Sequence, residues 1–428
     1  MTRPRILVTG LGCFTPLGCD PASLAESLAA GRGGIAPVSM AGLAPALPQT
    51  IGAEVHYDEG VVKKTLLKPV RKSLKVMCRE IQLGVAAAAA ALQQSGIETE
   101  PDRIGIEFGA NLMLTPPSEL FSQARATAES TDDFDVSKWP EGGYREMEPL
   151  WLLKYLPNMP ACHIGILANA QGPNNSITQD EASAFLVLGE AMRVMQRGWA
   201  DAMIVGATGT RVHEMKSTHA RMWDRLGIDP ENPAESCQPF DAERSGQVVG
   251  EGAGAVILET EASASGRDAT PLAEVLGCGA SCVLGNDGRP NIRKALGHSM
   301  AAALRDGGVA PGDIAYISAH GIGTIDEDLA EAQAIHDVFG DEGAKVPVFG
   351  IKGAVGNSGA SSGMMQLAGA LALRQQALIP PTVGHHQTDA ACNLNVVAGE
   401  PAARSGGKVL MASVTRMGQA SATVIELM

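Results

Sequence analysis

Runs of β-branched and apolar residues alternate with longer amphipathic stretches along the whole chain. Near the start, "RILVTGLGCFTPLG" is an apolar run ending in glycine, the pattern of a buried strand entering a loop. "REIQLGVAAAAAALQQSGI" follows as a helix whose Ala86 to Ala91 run suits close packing between layers, with Gly96 placed to cap its C-terminus. "IGIEFGA", "ADAMIVGAT" and "GAGAVILET" have the composition of buried strands. A second series then begins with "PLAEVLGCGASC" and a helix near "IRKALGHSMAAALRDGG". It continues through "IAYISAHGIGT", "KVPVFGIKGAVGN", a helix "SSGMMQLAGALALRQQAL" and the terminal "KVLMASVTRMGQASATVIEL". This alternation predicts an α/β fold with largely buried sheets, built from two similar halves, 1–259 and 260–428. Residues 112–160 are richer in Pro, Asp and Glu and are expected to be an insertion capping the first half. The stretch "NNSITQDEASAFLVLGEAMRV", Asn174 to Val194, reads as a short strand, a tight turn and a helix. At its turn stand Gln179, Asp180 and Glu181, with no Ser or Cys before Ser183.

Composition narrows the function classes. With 428 residues, 45% of them hydrophobic, the chain can bury a large core. Glycine is the outlier: fifty of 428 residues, about 12% against a typical ~7%, falling singly at strand ends and turns. Gly10-x-Gly12 invites a dinucleotide reading, but Thr15 stands where the third glycine of that fingerprint belongs. A net charge of −14 argues against nonspecific binding to nucleic acid or to an anionic membrane, both of which need a positive field. The opening apolar run is short and broken, unlike a signal peptide, so a cytoplasmic location is expected. Eight scattered cysteines read as reduced thiols rather than a disulfide framework; Cys278-xxx-Cys282 has no second ligand pair following it, and the adjacent His385 and His386 are not placed to point at one ion, so no metal is expected.

Several long segments resemble the β-ketoacyl-(acyl-carrier-protein) synthases of fatty-acid and polyketide synthesis. "VTGLGCFTPLG" is similar to the family's opening strand and loop, and "YLPNMPACHIGILANAQGPNNSIT" to the stretch before its nucleophile. "QPFDAERSGQVVGEGAGAVILE", "SAHGIGTIDEDLAEAQAI" and "IKGAVGNSGASSGMMQLAGALAL" resemble three further motifs in the family's order. The resemblance implies the five-layered α-β-α-β-α thiolase fold, usually a dimer. It also implies acyl groups delivered on the phosphopantetheine of an acyl-carrier protein, with no other cofactor. The family's chemistry uses a cysteine thiolate at a helix N-terminus, two histidines and an oxyanion hole.

Matched residue by residue, the chain keeps part of that set. Counting back from Gly189 in "LGEA" puts Glu181 at the family's cysteine position. His320 matches the first histidine, and Asp328 and Glu331 match the acids that follow it. Thr324 is kept, whereas Ile322 replaces a threonine that in the family contacts the pantetheine arm. Lys352 matches the family lysine, but Asn357 stands at the second histidine, and an amide does not titrate near neutrality. The family's aromatic gate is replaced by Val414, Thr415, Arg416, Met417 and Gly418.

A buried carboxylate at the turn needs a partner, and Arg416, Lys352 and protonated His320 are the expected cations. Two functions follow from the resemblance. The first is a chain-length-factor-type subunit that pairs with a competent synthase. The second is an enzyme that decarboxylates malonyl thioesters or transfers acyl groups, using His320 and Asn357. Whether the dimer is formed with itself or with a synthase is left open. A third reading, a serine hydrolase, rests on "GNSGA" around Ser358, a near miss to the GxSxG elbow. For the carrier protein, Lys63, Lys64, Lys68, Arg71, Lys72, Lys75 and Arg79 form seven basic residues without an intervening acid. Lys68, Arg71 or Lys72, Lys75 and Arg79 recur at helical spacing and predict one basic helix face.

Overall fold

The computed structural model describes residues 3–38, 50–128 and 133–428; residues 129–132 of the expected insertion lie outside the described residues. The first half runs β1 (Ile6–Phe14), α1 (Arg79–Ser95), β2 (Ile104–Ala110), α2 (Met159–Ala168), β3 (Asn174–Ile177), α3 (Ser183–Gln196), β4 (Ala202–Thr210), α4 (Glu214–Trp223) and β5 (Val249–Thr260). The second half runs β6 (Ala273–Cys282), α5 (Ile292–Gly307), β7 (Tyr316–Ser318), α6 (Ile325–Phe339), β8 (Pro347–Phe349), α7 (Ser362–Ala372), β9 (Lys408–Val414) and β10 (Gln419–Leu427). In these core elements, α4 apart, the second series repeats the first.

The sheet shows the same repeat. In the first half the strand order is β3-β2-β4-β5-β1, with β2, β3 and β4 parallel and β5 antiparallel to both β4 and β1. The second half has β8-β7-β9-β10-β6 with the same pattern of directions. The halves meet where β1 pairs with β6 at Leu7↔Glu274 and Val8↔Ala273. Beyond that seam the sheets splay, and α3 and α7 fill the space with Phe185, Leu188, Met364 and Leu367 among their buried residues. A second cluster packs α1 on the outside of the first sheet, and a third packs α5 and α6 on the outside of the second. The order is therefore helix, sheet, helix, sheet, helix, the thiolase architecture. No helix among the described residues is long and apolar enough to cross a membrane.

The glycine excess has a packing cause. Gly12 on β1 lies against α1, and a Cβ there would stand 2.6 Å from the Ala91 nitrogen. Gly279 on β6 lies against α5, where a Cβ would stand 2.6 Å from the Ala303 nitrogen. Gly10-x-Gly12 and Gly277-x-Gly279 are thus matching seats for a helix on a strand, which accounts for the pair of glycines without any nucleotide. The alanine run of α1 is its complement: Ala86, Ala87, Ala88, Ala89 and Ala91 are buried, and Gly96 ends the helix with φ +58.

The basic segment folds differently from the expectation. Glu59–Thr65 is a helix, Arg71–Val76 a 3₁₀ turn, and α1 starts only at Arg79. Pro69 stands between the first two elements, and the restriction it places on the residue before it breaks a continuous helix. Arg79 does not join a basic face: its Nη2 donates to Glu251 at 2.6 Å and to the Val55 carbonyl at 2.6 Å. Lys63 pairs with Glu59 at 2.7 Å. Lys64, Lys68, Arg71, Lys72 and Lys75 are exposed.

Gly279→Ala should push α5 from β6 and lower stability by about 1–3 kcal/mol, read as a reduced urea midpoint with an unchanged m-value.

Candidate functional site

The loops that follow the parallel strands of the two halves meet at one place, so residues far apart in sequence come together there. After β3 the chain turns sharply. The Gln179 N–H donates to Ser183 Oγ at 2.9 Å, and Asp180 takes φ +44, a left-handed conformation uncommon outside glycine. The 3₁₀ turn Asp180–Ala182 then leads into α3, with Glu181 just before the helix and only 4% exposed. The positive end of the helix favours an anion there.

Glu181 is one member of a closed ring of four side chains. Its Oε1 accepts from Arg211 Nη2 at 2.7 Å and from Asn357 Nδ2 at 2.9 Å. Gln247 Oε1 closes the ring, accepting from Asn357 Nδ2 at 2.6 Å and from Arg211 Nη1 at 3.4 Å. Arg211 directly follows β4, Gln247 precedes β5, and Asn357 precedes α7 in the other half. Arg211 Nη2 also donates to Asp180 Oδ1 at 2.9 Å. Burial pushes the Glu181 carboxyl above its ordinary range; Arg211 and Asn357 oppose that shift and Asp180 adds to it. Asn357 Oδ1 accepts from the Gly359 N–H at 3.1 Å and from Ser362 Oγ at 3.2 Å, so every polar atom of the amide is engaged.

The expected cations are not the partners of Glu181. Arg416 Nη1 lies 3.4 Å from Asp224 Oδ1. Lys352 Nζ donates to the His320 carbonyl and, at 3.2 Å, to His320 Nδ1. His320 is held well below its ordinary pKa by burial and then by the Lys352 and Arg211 charges, so it is a neutral imidazole. Arg211 takes the role instead. The signal for it in the sequence was a single arginine directly after the apolar strand "ADAMIVGATGT".

The His320 loop is fixed from below by acids of α6. Glu331 accepts the His320 and Gly321 N–H groups, both at 2.7 Å, and Asp328 accepts from Ile322 at 2.9 Å and Phe240 at 2.7 Å. His320 Nδ1 also accepts the Val414 N–H at 3.4 Å, which leaves the ring proton on Nε2. That Nε2 is buried with no hydrogen-bond partner among the described residues. Burial lowers Lys352 to about 8 against the pull of Glu331 and Glu181.

A cleft of about 480 Å³ opens onto Glu181. Ile322, Arg416 and Met417 line it, whereas His320, Lys352, Asn357, Glu331, Thr324 and Val414 are buried and outside its wall. Sequence reasoning missed Arg211, Lys216, Asp224 and Glu327, all of which line it. Leu112 and Leu114, from the segment expected to be an insertion, complete one side. Lys216 reaches back to the buried Glu80 at 2.7 Å. The serine-hydrolase reading has no support here: Ser358 is fully buried, its hydroxyl meets only Ser361 at 2.7 Å and Ser362 at 3.2 Å, and no histidine or carboxylate bonds to it among the described residues. The His385-His386 doublet diverges, His385 buried on the Pro239 carbonyl at 2.9 Å and His386 paired with Glu235 at 2.8 Å.

Arg211→Met leaves the Glu181 carboxylate buried without its ion pair and should cost about 3–5 kcal/mol in urea unfolding. Adding Glu181→Gln to Arg211→Met should recover at least half of that loss.

Comparison with known proteins places this geometry in a family. The chain matches the beta-ketoacyl synthase N-terminal domain over residues 3–264 and the C-terminal domain over residues 272–386. It is 31% identical over 411 residues to the 3-oxoacyl-[acyl-carrier-protein] synthase 2 of Coxiella burnetii, covering 94% of this chain and 93% of that one. Among solved structures, the ishigamide ketosynthase/chain length factor superposes with a TM-score of 0.84 at 25% identity, covering 100% of both chains. AntDE:AntF, a type II polyketide acyl-carrier protein in complex with its ketosynthase, superposes with a TM-score of 0.82 at 21% identity, again over 100% of both chains. With both domains matched in order and a full-length relative above 30% identity, the chain belongs to the β-ketoacyl synthase family.

Proposed function

We propose that this protein does not condense acyl groups by itself and serves as a chain-length-factor-type partner of a competent β-ketoacyl synthase in fatty-acid or polyketide synthesis. One observation carries the reading: Glu181 stands at the turn where the family resemblance puts the cysteine, its carboxylate held by Arg211 and Asn357. Acyl transfer from a thioester to a carboxylate gives a mixed anhydride and runs uphill, so the turn lacks a useful nucleophile. Asn357, at the second-histidine position, has no donor left to polarise a substrate carbonyl. The full-length likeness to a ketosynthase/chain length factor supports the same reading.

A second reading rests on His320. Its protonated Nε2 is buried without a partner, and such a donor could receive a thioester carbonyl during decarboxylation of malonyl-carrier protein. That reaction would use His320 with Lys352 behind it, and not Asn357. In either case acyl groups arrive on phosphopantetheine and no further cofactor is required. Thr324 and Ile322 are the positions proposed to meet that arm, with Val414, Arg416 and Met417 as the gate.

Co-expression with a competent synthase, followed by native mass measurement, should give a one-to-one heterodimer, and the isolated chain should neither acylate nor condense. A homodimer that condenses alone would overturn the proposal. Carbon dioxide released from malonyl-carrier protein and lost in His320→Ala would favour the second reading.

Carrier docking is proposed for the exposed cations Lys64, Lys68, Arg71, Lys72 and Lys75, together with Lys63, although they lie on a helix, a turn and a 3₁₀ segment rather than on one face. Carrier proteins are acidic, and a basic patch speeds and orients such encounters. Lys68→Glu/Arg71→Glu/Lys72→Glu should weaken carrier binding by roughly 10- to 100-fold in a titration at low salt, with a smaller effect at high salt.

A further inference from the structure

The mouth of the cleft is bounded by two elements from different halves: the end of α4, and the hairpin turn of residues 415–418 that joins β9 to β10. The turn is closed by its own bonds, Thr415 N–H to the Gln419 carbonyl at 2.8 Å and Gly418 N–H to the Thr415 carbonyl at 2.9 Å, with Gly418 at φ +79. Toward the first half, the hydrogen bonds made by residues 415–418 among the described residues are those of Arg416. Its Nη1 lies 3.4 Å from Asp224 Oδ1 and 3.4 Å from the Trp223 carbonyl, and its guanidinium carbon lies 5.9 Å from the centroid of the Trp223 ring. Trp223 is 66% exposed and Met417 56%, so the contact is at the rim, with little packing around it.

We propose that Arg416, Asp224 and Trp223 form a clasp that holds the 415–418 turn across the mouth of the cleft, and that admission of any chain to Glu181 requires this clasp to open. The inference holds whichever chain enters and does not depend on whether the Glu181 site performs chemistry. Its strength suits an entrance. An ion pair with one half-exposed partner and a cation–π contact at the surface are each weak, enough to bias a turn without locking it. Asp224 also connects the rim to the floor. Burial pushes its carboxyl upward while Arg211 and Arg416 both pull it down, so the cation that holds Glu181 and the cation that closes the mouth act on one carboxylate.

The test uses Glu181→Cys as a reporter in every protein compared. Its alkylation by the neutral reagent iodoacetamide is followed by peptide-resolved mass spectrometry, which separates it from the eight native cysteines. Adding Asp224→Asn or Arg416→Met should raise the alkylation rate about three- to fivefold, the range set by a surface pair. The charge-swapped Asp224→Arg/Arg416→Asp protein should return toward the clasp-intact rate. With the clasp intact, the rate should also rise as salt is raised from about 0.05 M to about 1 M, because salt screens the pair. Equal rates in variants that melt like the parent would overturn the clasp. So would a clasp-intact rate indifferent to salt, and that measurement decides the question even if a variant does not fold.

Discussion

A carboxylate removed from water must be met by donors, and Glu181, 4% exposed, sets this demand at the centre of the molecule. The answer comes from three separate places in the chain. Arg211 leaves the end of β4, Gln247 enters β5, and Asn357 arrives from the second half ahead of α7. Because Gln247 Oε1 accepts from both Arg211 and Asn357, no member can leave without unpairing another. The ring therefore ties the two halves together at the point where a synthase of this family is expected to do its chemistry. Asp180, in a left-handed conformation beside it, accepts the second bond of Arg211 Nη2 and fixes the turn.

The fold brings these loops together through its repeat. Within each half the strands β2, β3 and β4 or β7, β8 and β9 run parallel, and the loops after β3, β4, β7, β8 and β9 carry Glu181, Arg211, His320, Lys352 and Arg416 to one region. The glycine pairs on β1 and β6 make the repeat compact enough to work, since they let α1 and α5 approach a strand at backbone distance. Behind the cleft, Glu331 and Asp328 spend their carboxylate oxygens on backbone N–H groups, which makes the His320 loop rigid while leaving the Nε2 proton unclaimed. The site thus combines a saturated half around Asn357 with an unsatisfied donor at His320, and this asymmetry separates the two functional readings.

The order of strands and helices, the α/β class and the loops that bear the site were legible in the sequence. Each depends on local properties: apolar periodicity, glycine at turns, and residue types at fixed spacing from an anchor such as "LGEA". Local spacing failed where a single residue broke it, as Pro69 did in the basic segment, which the repeat of Lys68, Arg71 and Lys75 alone reads as one helix. Pairing was beyond its reach. Arg416, Lys352 and His320 were reasonable partners for a buried carboxylate, yet Arg416 turns to Asp224, Lys352 to His320, and Arg211 takes Glu181. Which charge meets which is decided by the direction in which each loop leaves its strand and by the reach of each side chain, and those exist only once both halves have packed.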